Sequence, residues 1–418
     1  MTAASGQQAL ATAERLLNPA DILAAVPADD GASLARGLAG TALLQARLSR
    51  IDATYEAAAV RHWAGAAAHA RQHGGSGAGI FHTRGGLAAS LIIGSGYLPD
   101  PGSQLAAAAH AARWLSARAL DLAHCHSERL RAGGGCTSWA AYDAISGLTG
   151  IGRVLLAALA AGHDRCEPGL TAILDALTAM ILTRHGNRPG WWIPASGHPP
   201  GVTVHPSGAA NTGMAHGIAG PLALLSIAKT AGWTVTGQAA AIRDAAHWLL
   251  DWRINSTSCW PPHVTGEELD TGVASPVSGR RDAWCYGTPG ICRALSLAGH
   301  ATGEPRLTET SDAGIASLAD RSTRDWDVTG PTLCHGHAGV LQCAAHSHAA
   351  TSGHAAAAVT MAFRPQHAFA FQHTGTGLPA DEPGFLTGAA GIALALADHS
   401  GLPAAVVPTR WDAVLLLT

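Results

Sequence analysis

An all-α fold, in which helix pairs repeat seven times around a ring, is what this sequence predicts, and three observations carry it. A glycine phrase leading into alanine and leucine recurs seven times. The apolar residues after each phrase keep helical spacing, and almost nothing alternates with period two. The phrases begin at Gly37 (GLAGTALL) and Gly86 (GLAASLII), the second with Ala89 in place of its second glycine. The third begins at Gly147 (GLTGIGRVLL), where Ile151, Val154, Leu155 and Leu159 mark one helix face. The rest follow at Gly217 (GIAGPLALL), Gly287 (GTPGICRALSL), Gly336 (GHAGVLQ) and Gly388 (GAAGIALAL). Between phrases run alanine-rich helical stretches, over 56–72, 106–123, 170–183, 238–253 and 307–320. One such pair cannot bury its apolar face alone, whereas seven stacked pairs can, and closing the stack removes its exposed ends. Residues 1–418 are therefore expected to form a single domain, and alanine's poor fit to strands excludes a major sheet.

Composition narrows the function. The chain of 418 residues is 47% hydrophobic, 13% charged and carries a formal net charge of -3, so it offers no field for a nucleic-acid backbone. Lys229 is its one lysine and follows Ala228, which excludes a P-loop. The first residues lack the basic start and apolar block of an export signal, and apolar runs such as 154–161 are too short to span a bilayer. A cytoplasmic protein is expected. Its eight cysteines include no Cys-x-x-Cys pair, so reduced thiols are the default and any metal site must be assembled from distant segments. Two long connections rich in Gly, Pro and Ser, 185–213 and 254–283, each lead into a phrase, and are expected to gather at one end of the ring.

The residues immediately before the seven phrases are Arg36, Gly85, Ser146, His216, Tyr286, His335 and Thr387, and repeats five and six add Cys285 and Cys334 one position earlier. Equivalent positions on neighbouring helix starts thus offer two thiols and an imidazole, which suits one Zn²⁺ held by three protein ligands with a fourth position open. A buried cysteine is usually inert and a lone histidine usually structural; the shared position is what distinguishes these three. Cys292 lies seven residues beyond Cys285, roughly 10 Å along a helix at about 1.5 Å per residue, too far to share an ion, and Cys343 is similarly displaced from Cys334. His337 remains open as a fourth ligand that would close the site.

The run Arg281-Asp282-Ala283-Trp284-Cys285-Tyr286-Gly287, with Cys334-His335-Gly336 and Ala215-His216-Gly217-Ile218-Ala219-Gly220, resembles the lanthionine synthetase C-like cyclases over nearly the whole chain. The resemblance implies an α/α toroid with a central zinc, ligated by Cys285, Cys334 and His335. It matches His216, Asp143, Arg281 and Tyr286 to positions with acid, base or stabilising roles. It implies addition of the cysteine thiols of a dehydrated precursor peptide to dehydroalanine or dehydrobutyrine, giving thioether rings in lantibiotic biosynthesis. Because the seven repeats consume the chain, a separate dehydratase is expected as partner, with an export transporter that would tether the complex to a membrane. Each assignment has a plainer rival: Asp143 as a helix cap, Arg281 in a rim ion pair, Tyr286 as packing. For the whole chain the rivals are a zinc-dependent thiol alkylator of the prenyltransferase type, which uses an acidic ligand beside one Cys and one His, and a non-catalytic peptide-binding scaffold.

Overall fold

A computed structural model describes residues 2–74, 79–198, 206–254, 258–274, 281–372 and 381–418. Helix α1 (Thr2–Arg15) precedes six consecutive pairs: α2 (Leu38–Leu48) with α3 (Ala53–His73), α4 (Thr83–Gly94) with α5 (Gly102–Arg131), and α6 (Leu148–Ala160) with α7 (Glu167–Leu182). Then come α8 (Ala219–Thr230) with α9 (Gln238–Asp251), α10 (Thr288–Thr302) with α11 (Pro305–Ala319), α12 (His337–Ala344) with α13 (Ala349–Met361), and a last helix, α14 (Ala389–His399). The even-numbered helices form an inner ring that closes where α14 meets α2. The seventh outer partner is α1, which packs on α14. The ring is thus sealed by joining the two ends of the chain, a pairing that no local sequence pattern announces.

Burial follows position. Every residue of α2 is buried, as an inner helix covered on all sides requires, whereas α5 buries a stripe that includes Ala108, Ala112, Leu115, Ala119 and Ala123. Phe81, Trp284, Phe385 and Trp411 fill the centre, with Phe81 6.5 Å from Trp284 and Phe385 5.7 Å from Trp411, centroid to centroid. A short 3₁₀ turn, Trp411–Leu415, plugs one end, and the Trp284 indole donates to the Leu415 carbonyl at 2.8 Å.

The second glycine of each phrase presses against the carbonyl six residues earlier: a Cβ would stand 2.1 Å from the Ala144 oxygen at Gly150 and 1.8 Å from the Phe385 oxygen at Gly391. That spacing sets the register and corrects one alignment. Gly86, which faces the Ile80 oxygen six residues back, is the second glycine of its repeat rather than the first, and Thr83 stands where other repeats carry their first glycine; the Ala35 N–H on the Phe81 carbonyl fixes the same register. The residue in the shared position of repeat two is therefore His82 and not Gly85.

Backbone hydrogen bonds stitch these starts together. Ala35 donates to Phe81, Ala215 to Cys285, Cys285 to Cys334, Cys334 to Leu386 and Leu386 to Ala35, at 2.9–3.2 Å. Among the described residues the strands form two short ribbons: β1 (Arg184–His185) with β2 (Arg188–Pro189), and β3 (Ala209–Asn211) with β4 (His263–Thr265), both antiparallel. Ribbon β3–β4 joins the two long connections beside the start of α8, so they do meet at one end of the ring. Among the described residues no helix is long and apolar enough to cross a membrane.

Candidate metal centre

Cys285, Cys334 and His335 converge at that end, with one ligand atom from each lying within 4.8 Å of the others. Their helix starts bring them together: Cys285 donates its backbone N–H to the Cys334 carbonyl at 3.1 Å, which fixes the two thiols side by side. Cys285 reaches this point on a tight turn. Gly287 has φ 107°, and a Cβ there would sit 1.7 Å from the Arg281 oxygen, so only glycine closes it. Beneath the turn, buried Asp282 accepts two hydrogen bonds from Arg321, both 3.1 Å, and one from the Asp327 N–H at 3.0 Å.

The electrostatics favour a thiolate. A hydrogen bond from Cys334 holds the Cys285 thiol well below its ordinary range against the cost of burial, and His335, 3.5 Å away through Nδ1, adds to this. Cys334 is raised well above its usual value because it shares that proton with Cys285. Burial disfavours a charged His335 ring, but the bond and charge of Cys285 outweigh it and raise His335. Two sulfurs and one imidazole nitrogen this close fit the donor set and spacing of a zinc centre, where about 2.0–2.3 Å separates the metal from each donor.

The other cysteine and histidine candidates lie outside it. His337 points both ring nitrogens at backbone carbonyls, 3.1 Å from Gly330 and 3.4 Å from Thr323, and does not join the donors. Cys292 and Cys343 are buried along α10 and α12, their thiols pushed up by desolvation, Cys343 to about 12. Among the described residues no fourth Cys, His, Asp or Glu joins the cluster.

His216 is next along the ring of helix starts. Its Nδ1 lies 2.5 Å from Asp143 Oδ2, and Asp143 is fully buried. Asp143 Oδ1 accepts from the N–H groups of Ser146 and Gly147 at 2.7 and 2.8 Å, just ahead of α6. The cap and the contact with His216 therefore coexist on the two oxygens of one carboxylate. Tyr286 packs its ring over Gly213, with its centroid 6.2 Å from that of His216. Burial, then the nearby charges of Cys285 and Asp143, push its phenol well above the usual range, so it stays a donor. Arg281 stands exposed at the rim, 3.6 Å from Asp327, close enough for its charge to bear on His335.

Trp139 is the contact that sequence reasoning missed. Its ring stacks on His216 with centroids 4.5 Å apart and planes 21° from parallel, and it meets the His198 ring at 76°, centroids 5.4 Å apart. The sole signal was its place four residues before Asp143. His82, the residue the corrected register reveals, lies with Nε2 2.8 Å from the Ser146 hydroxyl in the next repeat.

Comparison with known proteins agrees with this architecture. Residues 28–410 match the family model described as lanthionine synthetase C-like protein. A curated relative, the nisin biosynthesis protein NisC of Lactococcus lactis subsp. lactis, is 24% identical over 206 residues, 48% of this chain and 48% of that protein, so the match spans about half its length. The solved structure of nisin cyclase superposes with a TM-score of 0.77 at 19% identity, covering 97% of this chain and 96% of that one, and has the same fold. By the family model that spans most of its length, the chain belongs to the lanthionine synthetase C-like family.

Proposed function

We propose that this protein is a zinc-dependent peptide cyclase, which joins cysteine thiols of a dehydrated precursor peptide to dehydroalanine or dehydrobutyrine and so forms (methyl)lanthionine rings. The carrying observation is the convergence of Cys285, Cys334 and His335 next to the Asp143–His216 pair. Zinc in this donor set would hold a substrate cysteine as thiolate at neutral pH.

The chain's own groups supply the rest. Addition of a thiolate to the β-carbon of a dehydroamino acid places negative charge on the neighbouring carbonyl oxygen as an enolate. Tyr286, kept protonated, and Arg281 at the rim are the donors available to stabilise it. The α-carbon then needs a proton. Asp143 fixes the Nδ1 side of His216, leaving Nε2 to carry and deliver it. Trp139, stacked on the ring, holds that orientation. Among the described residues no carboxylate joins these three donors, which separates the set from the acidic ligand of prenyltransferase-type enzymes.

A peptide with dehydrated residues must come from a dehydratase acting first, so such an enzyme is the expected partner, together with an export transporter in a membrane-associated complex. The test is incubation of the zinc-loaded protein with a dehydrated, cysteine-containing peptide, followed by thiol alkylation and mass spectrometry. Loss of alkylatable thiols at unchanged peptide mass is the expected result. Full alkylation, with zinc bound and peptide retained, would identify a binding scaffold instead.

A further inference from the structure

A groove of about 600 Å³ opens between the segment 129–137 and the turn that carries β1 and β2. That volume lies within the range of pockets that bury compact ligands, about 300–1,000 Å³. Trp192 lines it, with the Arg188 guanidinium 4.9 Å above the indole ring. Arg129 stands on the facing wall and spends one N–H on the Thr137 hydroxyl at 2.7 Å. His185 lines the groove as well. Neighbouring Arg131 and Arg184 are paired with Glu128 and Asp244, but among the described residues no carboxylate pairs with Arg129 or Arg188. Two exposed guanidiniums without acids, one of them over an indole, make a surface for carboxylates and for the chain that bears them.

Both walls run into the reaction site. The segment with Arg129 and Thr137 continues to Trp139, which stacks on His216. Past Trp192, Ile193 pairs with Ala209 of β3, the strand that leads to His216. We infer that this groove binds an acidic stretch of the peptide substrate, holding it while a neighbouring cysteine reacts at the metal centre. The inference rests on the cyclase reading for its substrate. It adds a subsite that depends on charge and lies outside the reacting groups.

The probes are a dehydrated cysteine-containing peptide flanked by four Asp or Glu residues, the same peptide with Asn and Gln there, and a third with Lys. Wild-type protein should show a KM at least tenfold lower for the acidic than for the amide peptide, with kcat within twofold. In the exposed double variant Arg129→Glu/Arg188→Glu that difference should vanish and the lysine peptide should become the better substrate, at unchanged Tm. Equal KM values in the wild type, or a difference that survives the double variant, overturn the inference while leaving the cyclase reading intact. Should the wild type cyclise neither peptide, it is the cyclase reading that fails. Anisotropy of the labelled acidic peptide then decides the groove independently: tenfold weaker binding to the double variant supports it, and equal binding overturns it.

Discussion

At Asp143 one carboxylate does two jobs, and the two can be pulled apart. Asp143→Asn keeps an oxygen for the N–H groups of Ser146 and Gly147 but removes the charge facing His216. It is expected to lower kcat by about 10²–10⁴, the usual contribution of a placed acid or base, with little change in Tm. Asp143→Ala should lose the cap as well, at an added cost of about 0.5–2 kcal/mol in denaturation. Unchanged kcat in the asparagine variant would remove His216 from the reaction. Cys285→Ala and Cys334→Ala are each expected to abolish stoichiometric zinc and cyclisation while circular dichroism stays that of the wild type. The convergence of Cys285, Cys334 and His335 was legible because equivalent positions of successive repeats carried them. Trp139 was not, since a stacking contact leaves no spacing rule, and His82 was hidden by a one-turn misreading of an imperfect phrase.

Among the elements, the glycine phrases yield to direct test. In α14 the space at Gly391 is already filled by the Phe385 carbonyl, so Gly391→Ala must move backbone and is expected to cost about 1–3 kcal/mol. Gly353, in the middle of outer helix α13, has nothing within 4 Å of a new Cβ, so Gly353→Ala should instead gain about 0.5–1 kcal/mol from helix propensity. Thermal melts of the two variants with opposite shifts are the expected outcome, and shifts of the same sign would contradict the packing argument. Inner helices read clearly from sequence because close packing forces glycine and alanine into a fixed phrase. Outer helices are anchored only by an apolar stripe: five were visible in the sequence, whereas α13 and the distant partner α1 were not.

For the whole molecule, closure depends on long-range joins, namely α1 on α14 and the β3–β4 ribbon between two long connections, which local periodicity cannot encode. Buried histidines link this closed core to pH. Burial lowers His62 to about 4, with Thr41 and Leu17 around its ring, and burial lowers His126 to about 4 as well. Unfolded, each would take up a proton near pH 6.5. Between about 6.5 and 4 the unfolded chain therefore binds more protons, so stability is full above that window and lost through it as pH falls. Tm should drop across this interval, less steeply in His126→Gln; a flat profile would contradict burial of these rings. The most direct test of the metal centre itself is zinc X-ray absorption on the loaded protein, before and after adding a dehydrated cysteine peptide. Two sulfurs at about 2.3 Å and one imidazole nitrogen at about 2.0–2.1 Å, with a light fourth ligand replaced by a third sulfur on peptide addition, is the expected pair of spectra. Four protein donors that ignore the peptide would contradict thiol activation at Cys285, Cys334 and His335.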